Sequence, residues 1–304
     1  MKKQLKGLGK NVLQPFIHTI HDTIDQLSQE HIVVSLPTTQ GFIDRICPNG
    51  QCRATFKINM NTWTGGNMLS CVKCGNQYSR DMFTTAQQHE YAISVALNTI
   101  NEKYNFGWIS SSETYIPPDT DTKITCETCQ CCYIVRGKFG YCPQCGRHNC
   151  LQWAILKVAL LKNKAYSSEQ DFQTGYKEIV DILKTCGDQI LDIYNQRHST
   201  THSISLQNFE VAEDALRNKI GINLKEVFSP EQLSTIIMGI NIRHICAYNA
   251  SVIDGGFIKR TNSHHNQIGR VYRFSSDELH TFIELVERLL QFYFDKITNI
   301  TTTP

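Results

Sequence analysis

The chain has 304 residues, 41% of them hydrophobic, with 30 Lys and Arg against 28 Asp and Glu. That size predicts two or three globular domains. The formal charge of +2 excludes a whole-molecule field that would steer nucleic acid or an acidic partner, so any basic surface must be local.

The opening segment carries Lys2, Lys3, Lys6 and Lys10 without an acid. It lacks the apolar core of a signal peptide and reads as a solvated terminus, with contact to phosphate or lipid as the alternative. No later run is long and apolar enough to span a bilayer, which predicts a protein without a membrane partner. The cysteines number 13. Most fall into close pairs, a pattern that suits metal knuckles in a reducing compartment rather than disulfides. The expectation is a soluble cytoplasmic protein.

In chain order, residues 1–40 predict an amphipathic helix, with Phe16, Ile17, Ile20 and Ile24 on one side, and then a strand ended by Pro37. A cysteine module fills 41–82. Residues 83–118 hold a helix and the start of a linker, and Thr85 followed by Gln88 has capping-box spacing. The linker, 110–122, contains a Pro-Pro step that no helix continues through. A second cysteine module fills 119–150. From 151 to 304 the pattern is helical, with starts near Ser168, at Ser229-Pro230 with Gln232, and at Ser275 with Glu278. Gly221 is a left-handed stop, and Asp254-Gly255-Gly256 reads as a turn. The last helix carries Phe282, Leu285, Val286, Leu289, Leu290 and Tyr293, a core or dimer stripe. The predicted fold class is mainly α, a compact C-terminal bundle behind two small β-hairpin modules.

Each module has the chemistry of a zinc ribbon. Cys47 and Cys52 precede Cys71 and Cys74, and Cys126 and Cys129 precede Cys142 and Cys145. Tight turns aim each pair at one point, and four thiolates satisfy a tetrahedral Zn²⁺. Gly follows Cys74 and Cys145, where the backbone doubles back. The expected cofactors are two structural Zn²⁺ that replace a core too small to fold alone. Cys131 and Cys132 offer an alternative ligand set at the second site, or an iron–sulfur cluster. Arg136, Lys138 and Arg147 with Tyr133, Phe139 and Tyr141 mix cations and rings on one hairpin, a pattern suited to nucleic acid. Docking of a partner protein is the other use for such a surface.

The stretch "INIRHICAYNASVIDGGFIKRT", followed by "IGRVYRFSSDELHTFIELVERLL", resembles the HEPN superfamily over roughly the last half of the chain, most specifically at Arg243–Asp254. The two-ribbon-plus-HEPN arrangement is also similar to bacterial proteins of undefined role. The resemblance implies a small helical bundle with an Arg and, four to six residues later, a His near a helix end. Many members are dimeric, metal-independent ribonucleases of phage defence and toxin–antitoxin systems. The implied partners are RNA, a second copy of the chain and a neutralising protein or antitoxin. Arg243 takes the place of the Arg, where it would stabilise phosphate charge.

Position 248 is Tyr, not His. A phenol, with an ordinary pKa of about 10, keeps its proton at neutral pH. His244, one turn back on the same face, is the substitute, and Asn249 completes the candidate set. Arg197 with His202 and Arg260 with His265 repeat the spacing in polar sequence. His264 and His265 are the secondary candidates. The plain account of Arg243 is a cation at a helix C-terminus, capped by Asn249. Cys186 and Cys246 read as packing residues.

Two further functions remain open on the sequence. One is a non-catalytic binding or adaptor module that has lost its base. The other is a zinc-ribbon DNA-binding regulator, disfavoured by the near-neutral charge and the absence of a helix-turn-helix pattern.

Overall fold

The computed structural model describes residues 36, 38, 40–104, 122–262 and 265–299. The helix and strand expected within 1–40 and nearly all of the expected linker lie outside these residues. The elements run β1 (Phe42–Ile46), β2 (Thr55–Asn59), β3 (Met68–Ser70), β4 (Gln77–Ser79), α1 (Ala86–Tyr104), β5 (Thr122–Thr125), β6 (Cys132–Val135), α2 (Cys150–Lys162), α3 (Glu169–His198), α4 (Phe209–Ala215), α5 (Pro230–Tyr248), α6 (Gly255–Thr261) and α7 (Ser276–Asn299). The fold is mainly helical, with a small sheet region toward the N-terminus.

The two cysteine modules share one sheet. Their hairpins join in an antiparallel order β1-β2-β6-β5, with Phe56 opposite Val135 and Ile58 opposite Tyr133. These four residues are buried with Leu69 and Phe83 in a small core. The capping box at Thr85 forms: its N–H donates to Gln88 Oε1 (3.0 Å), and the Gln88 N–H donates to Thr85 Oγ1 (3.2 Å). Buried Gln88 also donates from Nε2 to the Asp44 carbonyl (2.8 Å), which ties the start of α1 to β1.

No linker separates the second module from the helices. Tyr141 belongs to the helical core, and its hydroxyl donates to Gln196 Oε1 (3.3 Å). Asn149 Oδ1 accepts from the Gly140 N–H (2.9 Å), and Nδ2 donates to the Lys138 carbonyl (3.0 Å). These bonds hold the hairpin against the first turn of α2.

Ser168 caps α3 in a box with Asp171, and Ser229 caps α5 in a box with Gln232, with Pro230 in the first turn. α4 continues into a wide turn, Leu216–Ile220, that ends at left-handed Gly221. One expectation fails. Asp254-Gly255-Gly256 opens a helix instead of making a turn, because the Asp254 carboxylate accepts from the Phe257 N–H (2.6 Å) and caps α6.

The predicted stripe on α7 is buried throughout, in the core shared with α2, α3 and α5. Gly239 sets the approach of α5 to α7, since a Cβ there would stand 2.4 Å from Phe282 Cδ2. Gly239→Ala should therefore cost about 1–3 kcal/mol through overpacking, read as a lower midpoint in urea denaturation.

Candidate functional site

Each cysteine module gathers four sulfurs within 4.8 Å of one another: Cys47, Cys52, Cys71 and Cys74 in the first, and Cys126, Cys129, Cys142 and Cys145 in the second. A tetrahedral ion with Zn–S bonds of about 2.3 Å requires sulfurs roughly 3.8 Å apart. The sulfurs of Cys47 and Cys74 stand 3.8 Å apart, and those of Cys52 and Cys71 3.7 Å. In the second module the corresponding pairs, Cys126–Cys145 and Cys129–Cys142, are at 3.6 and 3.5 Å. Gly75 and Gly146 are left-handed (φ +70° and +71°), as the doubled-back turns demand. Both clusters fit two zinc sites. Cys131 and Cys132 are buried but stand outside the four-sulfur set. All four positions are filled by protein thiolates, so such an ion would be structural.

The rings of the second module are not free for stacking on bases. Tyr133 and Tyr141 are buried, and Phe139 packs edge-on against Trp153 at 5.3 Å. Arg147 is also engaged, with Glu127 at 3.5 Å and over the Phe294 ring at 5.5 Å. This corrects the cation-and-ring reading, because hairpin rings that serve the fold cannot also serve a ligand. Arg136 and Lys138 are exposed. They head an acid-free stretch, 128–168, that also carries Arg147, Lys157, Lys162 and Lys164.

The helical half holds a cleft of about 450 Å³ between α3, α4, α5 and α6, lined by Asn241, Arg243, His244, Tyr248, Glu210 and Arg260 among others. The 100° step of an α-helix turns Asn241, His244 and Tyr248 away from Gly239 and α7. The His244 and Tyr248 rings meet at 4.9 Å, and the Arg243 guanidinium lies 5.9 Å from the Tyr248 ring centroid. Arg243 Nη2 is 3.5 Å from Asp181 Oδ1 on α3, while its Nε is buried with no hydrogen-bond partner. Tyr248 is 71% exposed at the mouth.

Beyond α5 the chain reverses through Ala250 and Ser251, both left-handed (φ 47° and 63°). Ser251 is buried and bonded on several sides. Its N–H donates to the Ile245 carbonyl (3.0 Å), and its Oγ accepts from Gln173 Nε2 (3.0 Å). Its carbonyl accepts from the Tyr272 N–H (2.8 Å). Such a pinned, strained reversal brings α6 back along α5 and places Arg260 at the cleft.

Other candidates fall elsewhere. Asn249 is the C-cap of α5, and its Nδ2 donates to the Val252 carbonyl (2.6 Å). His265 is exposed outside the cleft, and His264 lies outside the described residues. Arg197 Nη1 donates to the Ile297 and Thr298 carbonyls (3.2 and 3.1 Å) near the end of α7. His198 and His202 stack on Tyr194 at 4.3 and 5.9 Å. That motif serves packing and helix ends. Cys186 and Cys246 are buried as expected, and burial pushes the Cys246 thiol up from its ordinary value.

Asn241, Asp181 and Glu210 were not singled out from sequence. A lone amide inside the apolar run "IIMGINI" was the available signal for Asn241. Arg260 was noticed only as part of a loop motif.

Among the described residues no helix is long and apolar enough to cross a membrane. Compared with protein-family models, curated proteins and solved structures, the chain matches none.

Metal analysis of the purified protein should give two zinc per chain, one for each four-cysteine cluster. Cys126→Ser should lose one equivalent and destabilise the shared sheet, while Cys131→Ala should keep both.

Proposed function

We propose that the chain is a HEPN-type, RNA-directed effector whose α5 cleft holds a phosphodiester and cleaves it without a catalytic metal. The observation that carries this reading is the convergence of Arg243, His244, Tyr248 and Arg260 on one cleft. A phosphate oxygen in the cleft would accept a charge-assisted bond from the Arg243 guanidinium, roughly twice as strong as a neutral one. In the proposed reaction the ribose 2′-hydroxyl gives its proton to His244 as its oxygen attacks phosphorus. Arg243 stabilises the charge that builds on the phosphoryl oxygens. The 5′-oxygen leaves with a proton, for which the Tyr248 phenol is a suitable donor. The products are a 2′,3′-cyclic phosphate and a free 5′-hydroxyl.

The rest of the reading follows from the resemblance: a homodimer, a neutralising partner, and a role in phage defence or a toxin–antitoxin-type system. The exposed Arg136 and Lys138 are the proposed contact for RNA outside the cleft, through phosphate rather than base stacking. Two zinc ions hold the ribbons in shape.

A second reading, a binding module without catalysis, draws on the exposed Tyr248 at the position of the family's His. RNA cleavage decides between them. With chelator present briefly enough to leave the structural zinc bound, the wild type should cleave total RNA. Arg243→Ala should lower the rate about 10²–10³-fold, the usual worth of a donor to a developing oxyanion. No cleavage by wild type, with RNA still bound, would support the binding module. Equal cleavage by Arg243→Ala would remove Arg243 from the site. Reversing Arg136 and Lys138 to Glu together should weaken RNA binding and flatten its salt dependence, measured by filter binding across a salt series.

A further inference from the structure

A second depression of about 820 Å³ adjoins the cleft, walled by Phe228, Pro230 and Leu233 and by the end of α6. Glu210, Ile237 and Arg260 line both depressions, so Arg260 stands on the ridge between them. A cation in the last turn of a short helix is ordinarily left to the helix dipole and solvent. Here Arg260 Nε donates to Asn241 Oδ1, which turns the side chain back onto α5. Asn241 is 8% exposed, and its Nδ2 donates to the Ile237 carbonyl (2.8 Å), so both ends of the amide are bonded. A guanidinium held by Nε has its plane fixed and its two Nη groups outside that bond, the fork that fits a phosphate. Of the other charges lining the second depression, Lys225 is paired with Glu213 at 3.6 Å and Glu226 with Lys296 at 2.9 Å, and Glu210 is the remaining acid.

We infer that the second depression is a subsite for the neighbouring nucleotide of a single-stranded RNA, with Arg260 as its phosphate ligand and Asn241 as the residue that positions Arg260. The inference rests on the reading of the cleft as a phosphodiester site. On this assignment the strand crosses the ridge, one phosphate at Arg243 and the next at Arg260. Glu210 repels phosphate, so it stands beside a sugar and not a phosphate. Phe228, Leu233 and Ile237 give the second base an apolar wall. The site therefore discriminates by length, because a mononucleotide engages one guanidinium and a longer strand engages both.

The test is binding of uncleavable 2′-O-methyl oligoribonucleotides of increasing length, from a mononucleotide to a tetramer, followed by fluorescence anisotropy across a salt series. The wild type should bind the tetramer at least about tenfold more tightly than the mononucleotide, the worth of one charge-assisted hydrogen bond. Arg260→Gln should lose that gain, and its salt slope should fall by about 0.7, the value for one single-strand phosphate contact. Arg260→Lys, which keeps the charge but not the fork, should recover part of the gain. Asn241→Leu, with folding checked by its melting curve, should lose most of the gain while Arg260 is still present. If it fails to fold, the Arg260 variants carry the test.

A full length gain in Arg260→Gln would overturn the subsite even if Arg243→Ala abolished cleavage. A wild type that binds no oligonucleotide would overturn both the subsite and the phosphodiester reading beneath it.

Discussion

The close approach of α5 to α7 is the constraint on which the helical half depends. Gly239 presents no side chain where Phe282 fills the gap, so the two backbones come nearer than any Cβ would permit. Dense packing of this kind transmits position. With one face of α5 fixed against α7, the opposite face cannot rotate, and Asn241, His244 and Tyr248 share one cleft. Arg243 also lines the cleft and pairs with Asp181 on α3. The site is thus built on a rigid helix rather than on a loop, the better support for groups that must hold one geometry.

The chain ends α5 without using the residues that line the cleft. Asn249 supplies the cap, and Ser251 anchors the reversal through bonds to Ile245, Gln173 and Tyr272. Left-handed Ala250 and Ser251 carry strain of the kind that neighbouring bonds must offset. An ordinary helix end therefore accounts for 249–251 but leaves Arg243, His244 and Tyr248 unused. The same reversal returns α6 alongside α5, and this brings Arg260, distant in sequence, to Asn241.

At the other end of the molecule, two four-cysteine clusters stand beside a small hydrophobic core. Pairing β2 with β6 lets the two hairpins pool Phe56, Ile58, Tyr133 and Val135. Tyr141 and Asn149 then join this sheet to the bundle. Tyr133 is taken up by the sheet core, Tyr141 by that junction and Phe139 by Trp153, so a nucleic acid meeting this region would find exposed cations and no exposed ring from that set.

Local chemistry was legible in the sequence: the cysteine knuckles with their left-handed glycines, the Ser229-Pro230-Gln232 and Thr85-Gln88 caps, Gly221, and the apolar stripe of α7. Each is written within a few residues, because a turn or a cap depends on neighbours along the chain. The grouping of His244 and Tyr248 was legible for the same reason, since one helical turn relates them. What lies across space was decided by tertiary structure. The pairing of β2 with β6, the burial of Tyr133 and Tyr141, the buried Nε of Arg243 and the bond from Arg260 to Asn241 all depend on how separated segments pack. The sequence shows which side chains could make such contacts, but solvent exclusion and backbone reversal determine which ones do.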